Sequence, residues 1–296
     1  MTTLAASSAS SSTVSSSAER GWRRFTLLRI LAGTVAVVLP VGLTMFLAHQ
    51  LVDKSLRGLW PQLLAAALCL AGYRFYLRTV ERRAMADFAR AGARRELGAG
   101  LALGAGLFLA VIGILAAAGA YQVDGRNGWG VLLVPLTELV LVALFEEILF
   151  RGVLQRNLER ALGSWAAVAI SAVIFGLAHL PNANVSFAAV AVTVVAGLLF
   201  AAAYLLTRRL WLAVGMHFAW NFMSDAIFSV TTSGHPGKGI LAGRTVGPDW
   251  LSGGAYGVEA SVVTLAVFVP ATVVLLLMAH RRGQLRGRTG ARGARA

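Results

Sequence analysis

The stretch 131–158, VLLVPLTELVLVALFEEILFRGVLQRNL, decides the fold. Its first fourteen residues carry a single charge, Glu138, and the run is long enough to cross a bilayer core of about 30 Å as a helix. Beyond its midpoint stand Glu146, Glu147 and Arg151. Charged groups at that depth are costly and turn toward a bundle interior, so this helix needs neighbours.

Comparable runs lie on both sides, at 31–48, 59–77, 97–121, 165–180, 185–206, 210–228 and 260–279. Hydrophobic residues make up 57% of the 296 positions and charged residues only 14%, against about a quarter in soluble domains. A water-soluble globule is thereby excluded. The expectation is an all-α polytopic transmembrane bundle of about eight spans, with 21–280 as a single domain. Residues 1–20, mostly Ser, Ala and Thr, read as a disordered cytoplasmic tail. Residues 281–296 read as a basic cytoplasmic tail against anionic lipid. The first span, preceded by four arginines, is too long for a signal peptide and reads as uncleaved. Segment 78–96 reads as an amphipathic cytoplasmic helix. Gly98, Gly100, Gly104 and Gly106 would let the third span pack closely on a neighbour.

The net charge of +14 sits in the loops. With eight spans, twenty-one Lys and Arg fall on one side and five on the other, with Arg151 inside. The positive-inside rule then predicts a multi-pass protein of the cell membrane with both termini cytoplasmic. The partner implied is the lipid bilayer; nothing selects nucleic acid. A lone cysteine, Cys69, excludes a disulfide framework and a Cys-rich zinc site.

Few ionisable residues lie within the spans. Glu147 and Arg151, four apart, can pair on one helix face. Glu146 points about 100° away and lacks that partner, which suits a general base. Phe175 and His179 share a face of the fifth span, as do His217 and Asn221 on the seventh. At 1.5 Å per residue, Glu146, His179, His217 and Asn221 can meet in one layer, provided the fourth helix continues past Arg151.

The ordered set EExxxR (Glu146 to Arg151), FxxxH (Phe175 to His179) and HxxxN (His217 to Asn221) resembles the CPBP family, the CAAX-protease and bacteriocin-processing (Abi) intramembrane proteases. The matched core covers about 137–225. The resemblance implies hydrolysis of peptide bonds in membrane-associated proteins or peptides, by CAAX-type or leader processing. It implies that Glu146 and His179 activate water, that His217 and Asn221 hold the oxyanion, and that Glu147 and Arg151 support the helix. No cofactor is required on this reading. A zinc-dependent version would use Glu146, His179 and His217 as ligands, although the spacing lacks HExxH. Rival readings are a noncatalytic scaffold or immunity factor of the same fold, and a proton-coupled transporter relaying through Glu138, Glu146 and the histidines.

Other residues carry weaker expectations. Glu138 reads as a structural hydrogen-bonding group, Asp225 as a solvated interfacial carboxylate, and Asn182 and Asn184 as turn residues. Trp211, Trp220 and Trp250 read as interfacial anchors, and His235 as solvent-exposed.

Overall fold

A computed structural model describes residues 9–287, with side chains from 25 onward. Helices α1 (Ala9–Leu51), α2 (Trp60–Thr79) and α3 (Ala93–Ala117) precede strand β1 (Tyr121–Arg126). Helix α4 (Leu133–Glu147) runs through a π-helical stretch, Ile148–Gln155, into α5 (Arg156–Leu162). Then come α6 (Ser164–Ala178), α7 (Phe187–Thr207) and α8 (Trp211–Phe222), the last extended by a π-helical turn, Met223–Ile227. Strand β2 (Leu241–Thr245), the short α9 (Asp249–Ser252) and α10 (Val262–Arg281) complete the chain.

Each of the eight apolar stretches is helical. Four segments, Phe25–Leu51, Ala93–Ala117, Phe187–Thr207 and Val262–Arg281, are long and apolar enough to cross a membrane unaided. The protein is an all-α bundle of membrane type. The fourth helix does continue past Arg151, through the π-helical stretch.

Several expectations need correction. Of the tail 1–20, residues from Ala9 extend α1 as helix, since each residue added to an existing helix gains a hydrogen bond; residues 1–8 lie outside the described residues. Of the basic tail, 288–296 lie outside them too. Arg286 is tied to Ser164 by two hydrogen bonds, from Ser164 N to Arg286 O (2.9 Å) and from Arg286 N to Ser164 Oγ (2.8 Å). The third span stops at Ala117, not at 121; Gly119 turns the chain with φ 72°. Tyr121 instead opens β1, which pairs antiparallel with β2 across an irregularity between Val123 and Gly125. This polar ribbon caps one end of the bundle.

Segment 80–92 is not an amphipathic helix; only Ala86–Phe88 form a 3₁₀ turn. Its two acids turn inward to meet arginines from another helix, which an isolated surface helix could not arrange. Glu81 pairs with Arg83 (2.7 Å), Arg156 (3.3 Å) and Arg160 (3.2 Å). Asp87 pairs with Arg83 (2.7 Å) and Arg156 (3.3 Å) and accepts the Tyr73 hydroxyl (2.8 Å). Burial pushes the Glu81 carboxyl up, but Arg156, Arg160 and Arg83 together hold it below the usual range. Arg208 with Glu159, and Arg209 with Glu96, add pairs at the same arginine-rich end.

Helix α3 lies directly against α8. A Cβ at Gly100 would stand 2.4 Å from Leu212 O, one at Gly104 2.2 Å from Met216 O, and one at Gly215 2.7 Å from Leu97 O. Gly98 and Gly106 face open space, so only Gly100 and Gly104 of the four named from the sequence serve the contact. Backbone-on-backbone packing therefore fixes the rotation of α8 right beside His217.

Two outcomes are expected. Gly104→Leu should destabilise the bundle by at least the ~1–3 kcal/mol of an overpacked core, whereas Gly106→Leu should leave the detergent unfolding midpoint near wild type. Because the folded Glu81 carboxyl is more acidic than the unfolded one, its stabilisation is present above the unfolded value of about 4.3 and is lost as pH falls through the folded value. Unfolding midpoints measured from pH 7 downward should show a shallower acid limb in Glu81→Gln.

Candidate active site

A cavity of about 470 Å³ opens between α4, α6, α7 and α8, under the loops at the end opposite the arginine clusters. Glu146, His179, His217 and Asn221 all line it. The layer expected from helix rise is thus assembled from three separate helical segments around one space.

Its floor is set by Arg151, fully buried beside Glu147, which is also fully buried. Arg151 Nε lies 3.3 Å from Glu147 Oε2, and Nη2 donates to Gly197 O of α7 at 3.1 Å. The guanidinium is enclosed by the rings of Phe175, Phe200 and Phe150, at 4.7, 5.6 and 5.8 Å from their centroids. Such cation–ring contacts strengthen when desolvated. The aromatic cage closes the cavity toward the arginine-rich end.

Glu147 has a second partner that helical spacing alone does not reveal. Its Oε1 accepts Nδ1–H of His217 at 3.0 Å, so one carboxylate ties α4 to α8 and orients the imidazole. His217 is stacked on Phe200, with centroids 4.6 Å apart and planes at 14°. Nε2 is turned toward the cavity, 3.9 Å from Glu146 Oε2. With Nδ1 donating to Glu147, Nε2 bears a proton only when the ring is an imidazolium.

Adjacent in sequence, the two glutamates differ in surroundings. The Glu146 side chain keeps 20% exposure against none for Glu147, and its Oε2 has no hydrogen-bond partner. His179, at the end of α6, donates Nδ1–H to Phe175 O (2.8 Å) and rests on the Phe175 ring (4.7 Å). Nε2 of the neutral ring is thereby left as an acceptor. Asn221 is 6% exposed, and its side-chain amide has no partner among the described residues. The set can accept a proton at Glu146 or His179 and can donate from Asn221.

Among the described residues no group of three His, Cys, Asp or Glu side chains is placed to share an ion. The Nδ1 atoms of both histidines bond to protein acceptors, so only Nε2 of each is left for another partner.

The weaker candidates gain definition. Glu138 is exposed at the cavity rim and makes no hydrogen bond, contrary to the structural bonding role expected of it. Asp225 is half-buried in the cavity wall rather than solvated at the interface, and accepts Lys238 N–H at 3.0 Å. His235 is exposed, as expected, but at the cavity mouth. Asn182 donates to Ser233 O (3.0 Å) and also reaches the cavity. Trp220 is 2% exposed and no interfacial anchor; it donates to Glu259 at 2.9 Å, and Glu259 also accepts Ser233 N–H at 2.6 Å. Glu259 is a cavity residue that sequence reasoning missed, because it lies outside every apolar run.

Removing one member of a buried ion pair costs about 3–5 kcal/mol, since the other charge is stranded. Glu147→Ala should therefore sharply lower folded yield and detergent unfolding midpoint, and adding Arg151→Met should recover most of the loss.

The chain was compared with known proteins on this footing. Residues 128–223 match the family model described as Rce1-like, type II CAAX prenyl endopeptidase Rce1-like. No curated protein and no solved structure matches. The match spans α4 through α8, the segment that supplies Glu146, His179, His217 and Asn221. Over that segment, about a third of the chain, the protein is thus similar to the Rce1-like type II CAAX prenyl endopeptidases.

Proposed function

We propose that the protein is an intramembrane endopeptidase using Glu146 as general base on a bound water, without a metal. The observation that carries this reading is the Glu146 carboxyl, 20% exposed on a cavity shared with His179, His217 and Asn221, with an Oε2 that lacks a hydrogen-bond partner. Water held between Glu146 and His179 Nε2 gives a proton to Glu146 as its oxygen attacks the peptide carbonyl carbon. A C–O bond forms and the carbonyl π electrons move to oxygen. Protonated His217, through Nε2–H, and the Asn221 amide stabilise that oxyanion; such donors in a water-poor site are worth roughly 3–4 kcal/mol each. Collapse breaks the C–N bond, and the proton on Glu146 passes to the departing amine.

Glu147 acts as a positioning residue. It holds His217 by Nδ1 and is itself neutralised by Arg151. Substrates are segments of membrane-associated proteins or peptides, processed at a CAAX-like end or at a leader. The arginine distribution supports a cell-membrane protein whose arginine-rich end, with both termini, is cytoplasmic. On that orientation the cavity mouth faces away from the cytoplasm.

The test is cleavage of a peptide library by purified protein. Glu146→Gln should reduce turnover by about a thousandfold or more while the unfolding midpoint stays near wild type, as expected when a positioned base is lost together with its water. Undiminished cleavage would remove Glu146 from the mechanism. A strong chelator should leave the wild-type rate unchanged.

A further inference from the structure

The charge inside the cavity is opposite to that of the protein. Four of the thirteen carboxylates, Glu138, Glu146, Asp225 and Glu259, line it, and among the described residues no Lys or Arg does. Glu259 is consumed by Trp220 and Ser233, and Glu146 lies in the reactive layer. That leaves Glu138 and Asp225 near the mouth. Glu138 interacts electrostatically with Asp225 and His235, and Asp225 with His235, while no Lys or Arg among the described residues lines the cavity beside them. The same space also holds the Asn221 side chain, 6% exposed and unpartnered, so the cavity is built to receive a polar guest.

We infer that Glu138 and Asp225 form a subsite for a basic side chain of the peptide substrate. The inference rests on the protease reading and specifies its substrate class. Glu138 and Glu146 are eight residues apart on one helix, about 12 Å along its axis. An extended peptide rises about 3.4 Å per residue, so the Lys or Arg stands about three or four residues from the cleaved bond. Glu138 can take part without loss to the fold, because it is exposed and makes no hydrogen bond. Asp225 retains one oxygen for the guest while the other accepts Lys238 N–H.

Binding and cleavage are measured separately, with fluorescent decapeptides of Ala and Leu carrying a single Lys, Gln or Glu four residues to either side of the central bond. Binding uses Glu146→Gln protein in nanodiscs; cleavage uses protein with Glu146 intact. The Lys peptide in one of the two positions should bind about tenfold more tightly than its Gln twin, and salt should erode the preference. Glu138→Lys should reverse the preference toward the Glu peptide, and Asp225→Asn should reduce it. Equal affinity for Lys and Gln peptides in both positions, or an unreversed preference in Glu138→Lys, overturns the subsite. Charge-selective binding with no cleavage of any peptide defeats the hydrolase reading but leaves the subsite standing. Cleavage indifferent to charge does the opposite.

Discussion

Everything in the layer of Glu146, His179, His217 and Asn221 depends on a fully buried guanidinium. Arg151 is neutralised by Glu147 at 3.3 Å, bonded to a carbonyl of α7 at 3.1 Å and wrapped by three phenyl rings. Nε and Nη1 nevertheless lack a hydrogen-bond acceptor. Such a group is tolerated only with its countercharge fixed beside it, so Glu147 is not free to do chemistry. What Glu147 can do is share its second oxygen with His217. The pair thereby becomes a three-membered chain, Arg151 to Glu147 to His217, joining α4, its π-helical continuation and α8. The imidazole is aimed by a carboxylate whose own position is dictated by a buried cation.

The π-helical stretch starts at Ile148, directly after the two glutamates. A π turn interrupts the regular hydrogen-bond ladder and is less favourable than an α turn, which is why such turns are found mostly where a side-chain direction matters. Here the wider turn carries Arg151 into the space among Phe150, Phe175 and Phe200, while Glu146 and Glu147 stay in α-helical register 100° apart. One glutamate is thus spent on charge neutralisation and its neighbour is left open to the cavity. Identical side chains acquire different chemistry from backbone geometry.

Local spacing made some of this legible. The i, i+4 rule pairs Glu147 with Arg151, places Phe175 under His179 and sets His217 and Asn221 on one face, and apolar runs locate the longer helices. Contacts between helices were not legible. The His217–Glu147 bond depends on the rotation of α8, fixed where Gly100, Gly104 and Gly215 let backbones touch, and periodicity along one helix carries no such azimuth. Segment 80–92 misled for a related reason. Its alternating charges fit a surface helix, yet Glu81 and Asp87 find their arginines on α5, across the bundle. Glu259 and His235 belong to a loop whose only sequence signal is a run of glycine and polar residues, so their place at the cavity follows from tertiary contacts alone.

The bundle is also electrostatically polarised along its length. Arg83, Arg156, Arg160, Arg208 and Arg209 gather with Glu81, Asp87, Glu96 and Glu159 at one end, where every buried carboxylate is matched. At the other end Glu138, Glu146 and Asp225 border a cavity that no Lys or Arg among the described residues lines. Between the two lies Arg151 in its aromatic cage, its charge already balanced by Glu147. Matched charges fix structure at the first end because each ion has its counterion. Carboxylates without a Lys or Arg beside them at the second leave a negative potential in a space whose low-dielectric walls focus it. A chain with a formal charge of +14 therefore lines this cavity with carboxylates, and the sign of the potential inside it is opposite to that of the protein's net charge.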